Sequence, residues 1–448
     1  MPVKRVLDSL ERAVQHGQEH MNIEIAKNPE LKKAISIVED FLRKNGRVCY
    51  GGQAINSYLP KKYQFYDPNK NLPDYDFFTP NGDTDSLELI DMLRHAGFLE
   101  ISKRIGIHKG TVKIYVNYYP VADITEIDAD FYLQIRNKAN SINGIHYTDP
   151  IFLRMMMFLE LSRPKGMITR WKKVYERLEL LDKAQPLETC KYTIPIFLQK
   201  SVMTDIFPTI LDFVITNKKV YLGANIFLFY NYFSKKPFPI RSKQFMKQIS
   251  PIFFLSHDAE LDANMLKNLL DVTIEKREII GYQNILPAMI GLYKDSILLC
   301  LIVQEEACHS YVTIPLLEKK VLRLASLDTF LTFLIGFYYR ENDSILPIHS
   351  LLCWIQTFDK VSKHYKHNPS KYIPRFASSC SGYQTSFASL LRSKAARIEA
   401  ERQKERSVTK KNVPLENGTL GKIFPDKGDI VQEKSKIHSF FTRRKTRY

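Results

Sequence analysis

The sequence predicts a mixed α/β (α+β) chain of two related units, and three observations carry that prediction. A short strand runs into paired glycines and then a helix at residues 47–59. A second strand carries two alternating aspartates at residues 74–79. The apolar blocks of residues 48–152 then recur near residues 220–330 at a slowly rising offset. The expected organisation is a helical arm at 1–28, a first unit at 29–185, a second at 186–391 and a basic tail at 392–448.

The arm is charged throughout and has no apolar core of signal-peptide type. Pro29-Glu30-Leu31 opens a helical pattern with Leu31, Ile35, Val38, Phe41 and Leu42 on one face, and Asn45-Gly46 is its stop signal. Arg47-Val48-Cys49-Tyr50 reads as a strand leading into Gly51-Gly52, and Gln53 to Leu59 as a helix. Such an order brings backbone N–H groups to a helix N-terminus without a β-carbon in the way, a place for a phosphate chain.

Tyr75, Phe77 and Phe78 favour a strand, so Asp74 and Asp76 fall on the same face by period-two alternation. Two carboxylates about 7 Å apart on one face repel unless a cation lies between them. Asp123, flanked by Val121, Ala122 and Ile124, reads as an inward-facing carboxylate of a later strand. Three convergent carboxylates beside a phosphate cradle suit two magnesium ions about 4 Å apart. The competing reading places Asp74 and Asp76 in an exposed turn and Asp123 at a strand cap. Arg170, Lys172, Lys173 and Arg177 follow on a helix where Lys173 and Arg177 share a face, set either to clamp phosphates or to pair with Glu176 and Glu179.

In the second half, Val220 to Ile226 aligns with Val48 to Ala54, Phe253-Phe254 with Phe77-Phe78, and Phe330 with Phe152. In this register Asp74 becomes Ser250, Asp76 becomes Ile252, and Asp123 becomes Cys300 or a neighbour. The expectation is a copy that cannot hold metal. Lys218, Lys219, Lys235, Lys236, Arg241, Lys243 and Lys247, interleaved with Tyr221, Tyr230, Tyr232, Phe233 and Phe238, are candidates for a single-strand groove wall, although most of these aromatics fit a core.

The whole chain has 448 residues and a formal net charge of +17. Residues 392–448 carry 16 Lys and Arg against 7 Asp and Glu, about half of that excess. A tail of this kind can bind a polyanion by counterion release. The six cysteines lack CxxC spacing and read as free buried thiols in a reducing compartment. The histidines suggest no metal spacing, and His108 and His146 read as structural or surface residues. No stretch is long and apolar enough to suggest a membrane span, so a soluble intracellular protein is expected. GxSxG, P-loop and Rossmann fingerprints do not appear.

The blocks Tyr50-Gly51-Gly52-Gln53-Ala54-Ile55-Asn56, Pro73-Asp74-Tyr75-Asp76-Phe77-Phe78-Thr79-Pro80 and Val121-Ala122-Asp123-Ile124-Thr125 resemble the polymerase-β-type nucleotidyltransferase pattern. The resemblance is to the poly(A) polymerase catalytic subunits of large cytoplasmic DNA viruses. It extends through Ile145 to Pro150 and Arg170 to Leu178, covering roughly residues 30 to 180.

It implies a nucleotidyltransferase-fold catalytic domain, followed by a degenerate nucleotidyltransferase-like one. It also implies transfer of AMP from ATP to an RNA 3′ end, with Asp74, Asp76 and Asp123 as catalytic residues holding two Mg²⁺ or Mn²⁺ ions. Gly51, Gly52 and Lys173 are then nucleotide-binding. Many nucleotidyltransferases have Gly-Ser where this chain has Gly51-Gly52, which makes Ser57 the candidate for the missing hydroxyl contact.

The implied partners are ATP and RNA, with no membrane; a homodimer and a regulatory subunit both remain open. The implied location is the host cytoplasm, in viral factories, with packaging in the virion also open. The alternatives are a non-catalytic RNA-binding scaffold on the same fold and a nucleotidyltransferase with another acceptor.

Overall fold

The computed structural model describes residues 2–190, 206–223, 225–238, 251–282, 285–340 and 345–411. Ala224, Arg241, Lys243, Lys247, Ser250 and the tail beyond residue 411 lie outside the described residues. Residues 1–396 form one compact unit.

The chain opens with α1 (Pro2–Lys27), an exposed amphipathic helix, and α2 (Pro29–Asn45). Asn28 caps α2 by accepting the amides of Glu30 and Leu31, Pro29 takes the first turn, and Gly46 ends the helix at φ 57°. Leu31, Ile35, Val38, Phe41 and Leu42 are buried on its inner face. β1 (Val48–Tyr50), α3 (Gly51–Ser57), β2 (Tyr75–Thr79) and α4 (Gly82–His95) follow. Next come β3 (Ile101–Ile105), β4 (Thr111–Val116), β5 (Tyr119–Glu126), α5 (Ala129–Lys138), β6 (Asn140–Ile142), β7 (Ile145–Tyr147), α6 (Pro150–Leu161) and α7 (Trp171–Ala184).

The second half holds α8 (Ile206–Thr216), β8 (Val220–Tyr221), α9 (Ile226–Tyr232), β9 (Ile252–Ser256), α10 (Ala259–Leu269), β10 (Glu275–Ile279), β11 (Met289–Lys294) and β12 (Ile297–Gln304). It continues with β13 (His309–Pro315), β14 (Val321–Ala325), α11 (Leu327–Tyr338), α12 (Ile348–His367), β15 (Ser379–Ser381) and α13 (Phe387–Lys411).

The first sheet has the order β3-β4-β5-β2-β1-β7-β6 and the second β10-β11-β12-β9-β8-β14-β13-β15. Each strand of the first is replaced in the second by the strand seven later, with β15 added at one edge. Directions repeat as well: β2 with β5 and β9 with β12 are parallel, and so are β1 with β7 and β8 with β14. The β4–β5 ladder shifts register between Ile114 and Tyr115, and the β11–β12 ladder between Leu292 and Tyr293. Equivalent hairpins turn through Asn117-Tyr118 (φ 48° and 67°) and Asp295-Ser296 (φ 47° and 63°). Two positive-φ residues give the mirror-image turn whose twist matches that of the strands.

The helices that follow β7 and β14, α6 and α11, pack directly on each other and join the two sheets. Phe152 meets Tyr339 edge-on at 5.0 Å, and Phe131 stacks on Tyr282 at 4.5 Å. The Tyr339 hydroxyl donates to Asp149, which also caps α6.

Four of the six cysteines are paired rather than free: Cys190 with Cys353 and Cys308 with Cys380, at Cα separations of 5.0 and 5.4 Å. Their partners lie 163 and 72 residues away, so no short spacing could reveal them. Cys49 and Cys300 are free and buried. His16 and His20 do have i,i+4 spacing, with ring nitrogens 3.3 Å apart, but among the described residues no third metal-type side chain joins them. Tyr221 and Tyr230 are core residues, Tyr230 donating to the Ala325 carbonyl, and Lys219 pairs with the buried Asp262. These three therefore form no groove wall, whereas Tyr232 is exposed. No described helix is long and apolar enough to cross a membrane.

Candidate active site

The carboxylates meet because two strands are in register. β2 runs parallel to β5 with Asp76 opposite Asp123, β1 places Tyr50 opposite Asp76, and β4 places Lys113 opposite Asp123. Directly opposed residues share a face, so Lys113, Asp123, Asp76 and Tyr50 form one row about 5 Å apart from strand to strand. Asp74 immediately precedes β2, two residues from Asp76. The other face of this sheet carries α2 and α4. A hollow lined by Ile37, Leu87, Glu88 and Met92 lies between those helices, away from the carboxylates.

The row is electrostatically expensive. Burial pushes the Asp76 carboxyl up to about 7, helped by the charges of Asp74 and Asp123 and opposed by Lys113 and Arg170. Asp74 rises to about 6, through desolvation first and the Asp123 charge second. Asp74 is the more exposed of the two, so solvent screens part of its cost. Asp123 is buried, with Oδ2 paired to the Lys113 ammonium and Oδ1 without a partner. Among the described residues no three acidic, histidine or cysteine side chains are gathered at ligand spacing. Asp76 and Asp123 are neighbours in register, and Lys113 supplies the cation that keeps Asp123 in place.

Buried, mutually repelling carboxylates with an unpartnered oxygen suit a divalent cation chemically. Gly51 adds a steric argument. It sits at φ 71°, and a β-carbon there would collide with the Asp76 carboxylate. A β-carbon at Gly52 would lie 2.9 Å from the Tyr66 hydroxyl and 3.0 Å from the Arg177 guanidinium. The left-handed backbone therefore requires glycine at Gly51, whereas at Gly52 the approaching atoms are side-chain ends that can move aside.

Arg177 donates to the Tyr66 hydroxyl at 2.9 Å and lies 4.3 Å over the Phe65 ring. The loop bearing Phe65 and Tyr66 is fastened by Asn56, whose Oδ1 accepts both of their amides. Lys173, one turn before Arg177, has its head in solvent, and partial desolvation of the side chain together with the charges of Arg177 and Arg170 lowers its pKa. Arg170 pairs with Glu160 at 3.0 Å, and Lys172 reaches Glu176 at 4.0 Å. Of the phosphate candidates, the structure brings Arg177 to the glycines.

Ser57 stands apart. It ends α3, roughly 9 Å along the axis from Gly51, and its hydroxyl donates to the Ala54 carbonyl at 2.7 Å. The structure does not bring it to the glycines. Asn56, Tyr66 and Lys113 escape the sequence reading. Asn56 is buried, but nothing local in Gln53–Leu59 sets it apart from Gln53 and Ser57.

Among the described residues the second sheet has no such row. β9 pairs with β12 so that Ile252 faces Cys300, and β11 places Leu292 opposite Cys300. All three are fully buried. Where the first sheet has Lys113, Asp123 and Asp76, the second has Leu292, Cys300 and Ile252.

Comparison with known proteins fits this geometry. The crystal structure of the Megavirus polyadenylate synthase superposes with a TM-score of 0.73 at 20% identity, covering 90% of this chain and 83% of that one. The chain therefore shares the fold of that polyadenylate synthase. Residues 36–167 match the family described as poly(A) polymerase catalytic subunit, a segment that holds Asp74, Asp76 and Asp123. A protein of Acanthamoeba polyphaga mimivirus bearing that catalytic-subunit name is 31% identical over 163 residues, 36% of this chain and 27% of the relative. One from African swine fever virus (isolate Pig/Kenya/KEN-50/1950) is 28% identical over 165 residues, covering 35% and 34%. The matches thus span about a third or less of the curated relatives' lengths.

Proposed function

We propose that the chain is the catalytic subunit of a template-independent poly(A) polymerase, which transfers AMP from ATP to the 3′-hydroxyl of RNA and releases pyrophosphate. The observation that carries this reading is the in-register row of Asp76 and Asp123 beside Gly51, on a sheet shared in fold with a polyadenylate synthase.

Asp74, Asp76 and Asp123 would hold two divalent ions, Mg²⁺ or Mn²⁺. Ions held there would neutralise phosphate charge and lower the pKa of the attacking hydroxyl. Gly51 and Gly52 let backbone approach the triphosphate, and Arg177 and Lys173 supply positive charge on that side. The ribose oxygen bonds to the α-phosphorus as the bond to the pyrophosphate oxygen breaks. Asp123, with its unpartnered oxygen, is the acceptor for the hydroxyl proton. Residues 186–391 are read as a degenerate copy of residues 29–185, its carboxylate row replaced by core. The catalytic-subunit name of the relatives supports an accessory partner, and their viral origin is what supports the host cytoplasm as the site of action.

Primer extension tests the reading: purified protein, a short RNA, Mg²⁺ or Mn²⁺, and each of the four nucleoside triphosphates in turn. Extension with ATP is expected. Incorporation of CTP or UTP in preference would displace the poly(A) assignment, and no incorporation in any mixture would leave the RNA-binding scaffold.

Within that assay Arg177→Gln is expected to raise the KM for ATP about tenfold, the loss of one charge-assisted contact. An unchanged KM would remove Arg177 from the triphosphate side.

A further inference from the structure

The row of side chains at the carboxylates does not stop at Lys113. β3 is the edge strand, and Arg104 lies directly opposite Lys113. One line therefore crosses five strands on a single face: Arg104, Lys113, Asp123, Asp76 and Tyr50. In the neighbouring row Ser102 lies opposite Tyr115. The Arg104 guanidinium sits 4.3 Å over the Tyr115 ring, and its Nε donates to the Ser102 hydroxyl at 3.3 Å. Arg104 is exposed and, among the described residues, has no carboxylate partner. Its chain neighbour Lys103 points to the opposite face and pairs with Asp83 of α4 at 2.9 Å. The helix-covered face of β3 is thus charge-balanced, whereas the face continuous with the carboxylates presents an unpaired, stacked cation.

We propose that this face of β3 and β4, built from Arg104 and Tyr115, seats the 3′-terminal nucleotides of the RNA acceptor. The proposal rests on the function given above. In phosphoryl transfer the attacking and leaving oxygens lie roughly in line across the phosphorus. Gly51, Gly52 and Arg177 put the triphosphate on the β1 and α3 side of the row, so the acceptor hydroxyl arrives from the other side, over β5 and β4. Arg104 is three strands from Asp76, roughly 14 Å, within reach of the nucleotides just behind the reacting end. A guanidinium held flat on a tyrosine offers a second plane to a base and N–H groups to a phosphate, the combination that binds single strands without reading sequence.

The test is fluorescence anisotropy of a 5′-labelled oligoadenylate with the full chain and no ATP, comparing Arg104→Glu, Arg104→Gln, Tyr115→Leu and Lys103→Gln, each checked by circular dichroism. Arg104→Glu is expected to weaken binding at least about tenfold and to reduce the slope of log Kd against log salt by about 1. Arg104→Gln and Tyr115→Leu are expected to weaken it several-fold, and Lys103→Gln by less than twofold. Folded Arg104 and Tyr115 variants that bind like the parent would overturn the surface while leaving the polymerase reading intact. A Lys103→Gln effect as large as that of Arg104→Gln would show diffuse attraction in place of a seat. A parent protein that binds no RNA would take both readings down together.

Discussion

Replacing Asp76 with asparagine is expected to abolish nucleotidyl transfer while leaving the chelator-treated protein as stable as the parent, or more so. The loss should reach about a thousandfold, some 4 kcal/mol of barrier, because Asp76 is central in the row, between Tyr50 and Asp123. An asparagine keeps the volume and removes the charge that would hold the ions. The stability effect has the opposite sign because the carboxylate is a burden to the empty site. Its carboxyl lies at about 7 in the fold against an ordinary 3.8. The folded chain therefore binds this proton more tightly than the unfolded one, and stability falls as pH rises. In chelator, this contribution is fully present below about pH 4 and lost by about pH 7, so the variant should gain on the parent across that window. Thermal melts of both proteins from pH 4 to 8, with EDTA and then with Mn²⁺, check the sign. Added Mn²⁺ should stabilise the parent more than the variant. An Asp76→Asn protein that keeps most of its turnover would contradict the metal-holding role.

How much of this was legible depends on whether a signal was local in the chain. Asn28-Pro29 and Asn45-Gly46 mark the ends of α2 through capping chemistry that needs only neighbouring residues. Period two places Asp74 and Asp76 together for the same reason. The replacement of Asp76 by Ile252 and of Asp123 by Cys300 was readable because two phenylalanines fix the alignment, and the strand register agrees with it. Lys113 was not readable. Its pairing with Asp123 depends on a hairpin whose register shifts one residue away, at Ile114 and Tyr115. Asn56 and Ser57 show the limit within a single motif. Both are small polar residues near the end of α3, but only tertiary structure shows that one fastens the Tyr66 loop while the other caps its own helix. The disulfides and the Lys219–Asp262 pair likewise join residues distant in sequence.

The largest stability effect is expected at Arg154, in the joint between the two halves. Arg154 lies on α6 and is fully buried. Its Nε donates to Asp182 of α7 at 2.7 Å, its Nη1 to the Pro150 carbonyl at 3.1 Å, and its Nη2 to the Gln185 carbonyl. From α12, in the second half, Lys363 reaches Asp182 at 2.8 Å and Asp359 at 2.6 Å. Two carboxylates thus share two cations, and burial together with the Asp182 charge already raises the pKa of Asp359. Arg154→Met would remove half of the positive charge and take its side-chain donor from the Gln185 carbonyl. Removing one partner of a buried pair costs about 3–5 kcal/mol, far more than the intact pair is worth, because the remaining charge has lost its compensation. The variant should therefore unfold at a markedly lower urea concentration. Asp182→Asn in the Arg154→Met background should recover part of the loss, since it removes the stranded charge. Turnover per folded molecule should stay near that of the parent, because Arg154 touches none of the row on β4, β5, β2 and β1. If the double variant were no more stable than Arg154→Met alone, the cost would come from packing and the lost Gln185 contact, and the electrostatic account of the joint would be wrong.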